Sequence, residues 1–353
     1  CDGLEAYAKA NAVIAPPKAW EKAVPFGWNS WGALQFNLTY EKAMEVSDYF
    51  KENLQNNHFV NPDQTVYIGL DSGWDCMNEE QLKSFIEKCK SNGQIGGIYW
   101  TPFTDWARDP ERTVDAAPEY KYKDIYLYAN GKPQELDGAY AVDPTHPAVE
   151  AMMKKTSGLF HRAGFEYVKM DFMTHGAMEA DKWYNPEITT GIQGYNYGMK
   201  LLNQYFGDMY INLSISPVFP AQYAQSRRIA CDAWNQIKDT EYTLNALSYG
   251  WWQKYIYQYN DADHIVLRDA TDGENRARIT SGVITGIYIT GDDFSVGGGK
   301  DAKEKSQKYL TNAAVNAVAT GEVFRPVEGN GEKSEHIFVR KTPDGRFHCA
   351  VFN

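Results

Sequence analysis

The sequence alternates eight short apolar runs with helical stretches, and this alternation constrains the fold more than any other feature. Strands that alternate with helices favour a parallel sheet, and eight such units over roughly 300 residues predict an α/β fold of the (β/α)8 or TIM-barrel type. Helices are predicted over residues 39–51, with Thr39 as N-cap, and over residues 79–91. Residues 119–143 predict an inserted hairpin with its turn at Asn130-Gly131. The predicted strands span residues 24–31, 66–71, 95–100, 167–171, 209–215, 228–232, 264–267 and 286–290.

The two ends of the chain depart from this alternation. Residues 1–23 predict a helix followed by a linker that contains Pro16-Pro17, and residues 24–326 predict the barrel. Residues 327–353 predict two strands around a turn at Pro343-Asp344-Gly345. Because an isolated hairpin is not stable alone, we expect these strands to be the start of a truncated C-terminal β domain.

Composition narrows the possible functions. The net charge of −11 argues against a nucleic-acid partner, because nothing would neutralise the phosphates. No run of about 18 apolar residues is present, so no transmembrane helix is predicted. The five cysteines form no CxxC, and no His cluster has metal-ligand spacing, so no metal site is predicted. The 10 Trp and 24 Tyr residues suit either a large core or the stacking of sugar rings.

The predicted fourth strand, residues 167–171, ends in charged residues. Because side chains alternate along a strand, Lys169 and Asp171 point to one face while Val168 and Met170 point to the other. Barrel enzymes keep their chemistry at the carboxyl ends of the strands. Asp171 is therefore a candidate catalytic carboxylate.

Other predicted strands also end in polar and aromatic residues. Trp28 and Trp100 lie near the ends of the first and third strands, and Arg228 and Asp232 are four residues apart, so on a strand they would share a face. A single acidic residue at a strand end is often only a helix cap. Several together predict a site, and the candidate acidic residues are Asp71, Asp171, Asp232 and Asp263.

Two carboxylates that face a sugar-sized pocket suit glycoside hydrolysis. A retaining enzyme holds them about 5 Å apart, one ionised as the nucleophile and the other protonated as the acid. Lys169 would keep Asp171 ionised, and burial or the first carboxylate would keep Asp232 protonated. A direct Arg228 ion pair would oppose that protonation, so we expect Arg228 to point mainly at substrate hydroxyls or at another carboxylate.

These residues resemble the α-galactosidase (melibiase) clan of retaining glycoside hydrolases. The resemblance rests on Gly27-Trp28-Asn29-Ser30-Trp31, Lys169-Met170-Asp171, Arg228 through Asp232, and Asn260-Asp261-Ala262-Asp263, in that order between Pro25 and Pro326. It implies double displacement without metal or cofactor, with Asp171 as nucleophile and Asp232 as acid/base. The sugar contacts that it implies are Trp28, Asp71, Lys169, Arg228 and Asp263. To these the ends of the third and fifth predicted strands add Trp100 and Ser214.

The resemblance predicts an exo-acting hydrolase that releases terminal α-linked galactose from oligo- or polysaccharides. It also implies a β domain before the barrel and a β-sandwich after it in the full-length chain, and we expect a secreted or periplasmic protein rather than a cytoplasmic one. Two departures concern the sugar. Ser72 replaces a second Asp found in many members, and residues 212–217 are small and uncharged where relatives discriminate the substituent at the second carbon. An α-N-acetylgalactosaminidase or a related glycosidase of the clan is therefore an alternative.

Two alternatives come from other functional classes. Lys169 could form a Schiff base in an aldolase-like barrel, although Asp171 beside it would keep the amine charged. The chain could also be a non-catalytic sugar-binding barrel, which the two candidate carboxylates disfavour. Structural roles are predicted for His146, at a helix-entry turn, and for Asp292 and Asp293, which follow the eighth strand. His175, just past the fourth strand, is predicted either to have a structural role or to line the mouth of the barrel.

Overall fold

The computed structural model describes residues 2–327 and 336–353, and its centre is a closed barrel of eight parallel strands. Each strand pairs with the strands before and after it in the chain, and the eighth pairs with the first. The predicted (β/α)8 barrel is therefore confirmed. The strands are β1 Phe26–Asn29, β2 Val66–Gly69, β3 Gln94–Trp100, β4 Tyr167–Met170, β5 Tyr210–Leu213, β6 Ser226–Arg228, β7 Tyr259–Asp261 and β8 Gly286–Thr290.

Ten α-helices surround and precede these strands within the described residues. Thr39 caps its helix as predicted, since its side chain accepts a hydrogen bond from the Lys42 backbone N–H. His146 likewise caps a helix through Nδ1, so its predicted structural role is confirmed. The helices are α1 Asp2–Ile14, α2 Tyr40–Tyr49, α3 Glu79–Ser91, α4 Tyr122–Ile125, α5 Pro147–Ala163, α6 Gly191–Phe206, α7 Ile237–Gly250, α8 Asp272–Thr285, α9 Lys300–Tyr309 and α10 Ala313–Val318. None of them is long and apolar enough to cross a membrane.

The sixth and seventh strands differ from the prediction. The sixth ends at Arg228 instead of beginning there, and the seventh is Tyr259–Asp261 instead of residues 264–267. Asp263 has a φ of 71°, a left-handed conformation that ends strand geometry just before the predicted run. That apolar run lies beside β8, where the Ile265 N–H donates to the Ile289 carbonyl, and its side chains fill the layer between barrel and helices.

The insertion after β3 contains the predicted hairpin. Tyr128–Ala129 pairs with Lys132–Pro133, and Asn130 and Gly131 form the turn with φ values of 52° and 73°. Asn and Gly adopt two successive positive φ values more readily than other residues, which is why they favour this turn. Thr104–Asp105 and Glu135–Leu136 each pair with Ala139–Ala141 in a second small sheet.

A three-stranded antiparallel sheet follows the barrel, formed by Arg325–Pro326, Ile337–Lys341 and Phe347–Val351. Phe338 and Ala350 of this sheet pack in one apolar cluster with side chains of α7. This packing holds the sheet against the barrel. The two predicted terminal strands are present, while their membership of a larger β-sandwich domain stays a prediction.

Candidate active site

A buried cation lies between two carboxylates at the carboxyl end of the barrel. Lys169 is in β4, and its Nζ lies 2.9 Å from Oδ2 of Asp71 and 3.7 Å from Oδ2 of Asp171. Asp171 directly follows β4, and Asp71 follows β2. The three residues are buried, so their charges interact more strongly than exposed charges would.

The two carboxylates stabilise the charged form of Lys169. Burial opposes the ammonium form, but the charges of Asp71 and then Asp171 outweigh it and raise the pKa of Lys169 above its usual value. A lysine that forms a Schiff base must instead lose its proton easily. The geometry therefore argues against the aldolase-like alternative.

Backbone and side-chain donors fix both carboxylates. Asn29 donates its Nδ2–H to Oδ2 of Asp71 at 2.7 Å, and the Ser72 backbone N–H donates to Oδ1 at 2.8 Å. Oδ1 of Asp171 accepts from the Phe172 backbone N–H at 2.8 Å. This hydrogen bond holds one oxygen of Asp171, and the other oxygen faces Lys169.

Asp232, the second candidate carboxylate, lies on a loop beyond β6. Its side chain is 50% exposed, and its Oδ1 lies 2.7 Å from Nη2 of Arg228. The sequence placed both residues on one strand, which is wrong because β6 ends at Arg228. Arg228 was expected to point mainly at substrate hydroxyls or at another carboxylate. It contacts another carboxylate, because the same Nη2 lies 3.0 Å from Oδ2 of Asp263, but it contacts Asp232 as well.

Asp263 contacts two basic side chains, those of Arg228 and His264. Its Oδ1 lies 3.1 Å from Nδ1 of His264, and its Oδ2 accepts from the Ala233 backbone N–H at 2.7 Å. Burial alone would raise the pKa of Asp263, but Arg228 and His264 together lower it well below its usual value. The charge of Asp263 in turn outweighs burial and raises the pKa of His264. Asp263 is therefore an anchor that orients Arg228 beside Asp232.

A cavity of about 670 Å³ opens at this end of the barrel. It is large enough to hold a sugar ring. Both candidate catalytic residues, Asp171 and Asp232, line it, as do Asp71, Trp100 and Lys169 among the predicted substrate contacts. The remaining lining residues are Trp31, Phe36, Ser72, Gly73, Trp74, Asp75, Tyr99, Thr101, Trp106, Phe172 and Ile215.

Four predicted contacts lie behind this lining. Trp28 is 1% exposed and donates its indole N–H to the Asp292 carbonyl at 2.8 Å. Ser214 is 3% exposed, and its backbone N–H donates to the Met170 carbonyl at 2.8 Å. Arg228 and Asp263 are buried beneath Asp232. Their contacts with a sugar stay predictions.

The sequence analysis did not assign most of the aromatic lining as substrate contacts. Trp31, Trp74 and Tyr99 lie within or beside the motifs at the strand ends, so their positions carried a usable signal. Trp106 comes from the insertion and packs edge-on against Phe172, with ring centroids 4.7 Å apart. Ile215 projects into the cavity from a left-handed backbone position with a φ of 43°. The segment after β5, which the sequence analysis described as small and uncharged, therefore places one bulky apolar side chain in the cavity.

The other residues predicted to have structural roles contact neighbouring backbone and side-chain groups. In His175, Nδ1 lies 3.0 Å from the Phe172 carbonyl oxygen and Nε2 lies 2.8 Å from the Leu136 carbonyl oxygen. Asp292 accepts from the Leu267 backbone N–H and contacts Arg268. Within residues 2–327 and 336–353, no group of three His, Cys, Asp or Glu side chains is placed to hold a metal ion.

No protein-family model matches the chain, but solved structures resemble it. One is an α-galactosidase from Thermus thermophilus in complex with p-nitrophenyl α-D-galactopyranoside, with a TM-score of 0.67 and 17% identity over 98% of this chain and 70% of that chain. Another is a GH27 β-L-arabinopyranosidase from Geobacillus stearothermophilus, with a TM-score of 0.70 and 17% identity over 94% of this chain and 83% of that chain. A third is a protein from Bacillus halodurans described as a putative α-N-acetylgalactosaminidase, with a TM-score of 0.64 and 16% identity over 94% of this chain and 85% of that chain.

At identities this low, the likeness shows the fold and not the activity. The neighbours are glycoside hydrolases whose names include galactose-directed enzymes, in agreement with the resemblance found in the sequence. The chain therefore has a (β/α)8 barrel fold like that of these glycoside hydrolases.

Proposed function

We propose that the protein is a retaining, exo-acting glycoside hydrolase that releases a terminal α-linked galactose. One observation carries the proposal. Asp171 and Asp232 line the same cavity at the carboxyl end of the barrel, with a charged Lys169 beside the first and Arg228 beside the second. Two carboxylates in one sugar-sized pocket are the working parts of a glycosidase.

In the first step, an Asp171 oxygen attacks the anomeric carbon and forms an ester with it. The bond from that carbon to the leaving oxygen breaks, and Asp232 gives its proton to the leaving oxygen. Lys169 stabilises the ionised Asp171 before the attack, because their charged groups are 3.7 Å apart. The leaving sugar then departs as a neutral alcohol.

In the second step, Asp232 acts as a base. It takes a proton from a water molecule whose oxygen attacks the anomeric carbon, and the ester bond to Asp171 breaks. Two successive inversions leave the released galactose in its original α configuration. Asp171 regains its negative charge, and Asp232 is protonated for the next cycle.

The contact between Arg228 and Asp232 bears on the acid step. An ion pair favours the charged form of a carboxyl group, whereas the acid must carry a proton. The proposal therefore requires that Asp263 and the bound sugar hold Arg228 when Asp232 donates. The half-exposed loop position of Asp232 and the 3.0 Å contact between Arg228 and Asp263 support this division of roles.

An α-N-acetylgalactosaminidase is the second candidate. Ser72, and not a second carboxylate, follows Asp71 in the lining of the cavity, so Asp71 lacks an adjacent carboxylate to share hydrogen bonds from sugar hydroxyls. Residues 212–217 carry no charge that would reject an N-acetyl group. Ile215 offers an apolar contact for the acetyl methyl.

A screen of nitrophenyl α-glycosides tests the function, followed by proton NMR of the first-formed sugar from the best substrate. We expect turnover of the α-galactoside or its N-acetylamino analogue, with α-sugar appearing first. First appearance of β-sugar would refute the retaining mechanism. Binding of the sugars with no turnover of any glycoside would favour the non-catalytic sugar-binding barrel.

A further inference from the structure

A second cavity, of about 470 Å³, adjoins Asp232. Asp232 lines both this cavity and the one that contains Asp171. The other walls of the second cavity include Cys231 and residues of α7, among them Lys238, Glu241 and Tyr242. The two cavities therefore share the candidate acid/base as a common wall.

Tyr242 presents a sugar-sized aromatic surface beside Asp232. The residue is 55% exposed. Tyr242 and Cys231 both line this cavity, and the interaction with Cys231 raises the pKa of Tyr242. Cys231 directly precedes Asp232 in the chain. Because Tyr242 and Asp232 line the same cavity, the phenol ring lies near the carboxyl group that must reach the glycosidic oxygen.

The position of the acid defines where the leaving group starts. A proton donor must lie within about 2.6–3.2 Å of the oxygen that it protonates. The sugar attacked by Asp171 lies on the inner side of that oxygen, so the next residue of the substrate begins beside Asp232. An aromatic ring suits the apolar face of a pyranose, and the charged ends of Lys238 and Glu241 can donate to and accept from its hydroxyl groups.

We propose that the second cavity binds the leaving-group sugar of an oligosaccharide substrate, with Tyr242 as its stacking surface. The proposal rests on the proposed function, since it assigns the leaving-group side of the same reaction. It makes Tyr242 a specificity-determining residue that matters only when the leaving group is a sugar.

A kinetic comparison isolates this role. The substrates are a galactose-α-1,6-glucose disaccharide and α-galactosyl fluoride, whose fluoride leaving group needs neither a sugar site nor an acid. Tyr242→Ala should lower kcat/KM for the disaccharide about tenfold, the scale of a lost aromatic contact, and leave the fluoride unchanged. Tyr249→Ala is the matched control, because Tyr249 is 53% exposed on the same helix but lines neither cavity. Equal rates for Tyr242→Ala and wild type on the disaccharide would overturn the proposal.

A labelling experiment tests, independently of turnover, whether a sugar occupies the second cavity. In an Asp171→Asn variant, the rate of Cys231 alkylation by iodoacetamide is measured by mass spectrometry, with the exposed Cys349 as internal control. The disaccharide should slow Cys231 alkylation at least fivefold, and galactose alone should slow it much less. Protection without any wild-type turnover would support the sugar site and count against the proposed function. Alkylation of Cys231 at an unchanged rate with saturating disaccharide would overturn the proposal even if the enzyme is active.

Discussion

Replacing Lys169 by methionine should destabilise the barrel by about 3–5 kcal/mol at pH 7, the cost of breaking a buried ion pair by removing one partner. The lysine side chain is 11% exposed, and its partners Asp71 and Asp171 are 3% and 11% exposed. Methionine keeps most of the length and apolar stem of lysine. The loss of charge, rather than a loss of packing, therefore dominates the expected effect.

The pH dependence of this deficit follows from the pKa of Lys169. The raised pKa of Lys169 adds stability that is full below about pH 10.4, the unfolded value, and is lost only as the pH rises through the folded value. The variant leaves Asp71 and Asp171 without their shared cation, so its deficit relative to wild type should be the same at pH 7 and at pH 9.

Urea unfolding at both pH values measures the deficit in the free energy of unfolding, provided that the dependence of this free energy on urea concentration, the m-value, is unchanged. The control is Lys169→Met combined with Asp71→Asn, which removes one of the two uncompensated charges. The double variant should recover a coupling energy of about 0.5–3 kcal/mol. A deficit below about 1 kcal/mol at both pH values, or strict additivity of the two changes, would refute the argument that this cation compensates the two carboxylates.

Three further predictions concern acid catalysis, pH and specificity. Asp232→Ala should slow glycosides with poor leaving groups far more than activated aryl glycosides, because acid catalysis matters most when the leaving oxygen needs a proton; equal losses in kcat/KM would mean that Asp232 only binds. The raised pKa of His264 adds stability that is full below about pH 6.5 and is lost as the pH rises through the folded value. The deficit of His264→Gln in urea unfolding should thus be larger at pH 6 than at pH 9, and a constant deficit would contradict the Asp263 pairing. Preference for nitrophenyl α-galactoside over its N-acetylamino analogue should stay below about a thousandfold in kcat/KM, or about 4 kcal/mol; a larger ratio would show a pocket closed at the second carbon.

The core of the site was predictable because it follows from strand periodicity. Alternation along β4 places Lys169 and Asp171 on one face, and the structure brings their charged groups within 3.7 Å. The carboxyl ends of parallel strands meet at one end of a barrel, so Asp71 also joins them. These inferences need only local pattern and the closed topology.

Positions that depend on irregular backbone were not predictable. The left-handed conformations of Asp263 and Ile215 end the strand geometry on which face assignments rely. Asp232 lies on a loop because β6 ends at Arg228, and Ile215 enters the cavity. Trp28 turns its indole to the Asp292 carbonyl, 264 residues away in the chain. No local signal encodes such a partner, since it depends on how β1 and the segment after β8 pack together.

The central claim is that Asp171 forms a covalent bond with the sugar, and chemical rescue tests it most directly. An Asp171→Gly variant removes the nucleophile and leaves space for azide beside the anomeric carbon. With α-galactosyl substrate, we expect almost no hydrolysis without azide, and with azide we expect formation of β-galactosyl azide, identified by the anomeric coupling in its proton NMR spectrum. A galactosyl azide of unchanged α configuration, or hydrolysis by Asp171→Gly at the wild-type rate, would contradict the assignment of Asp171 as the nucleophile.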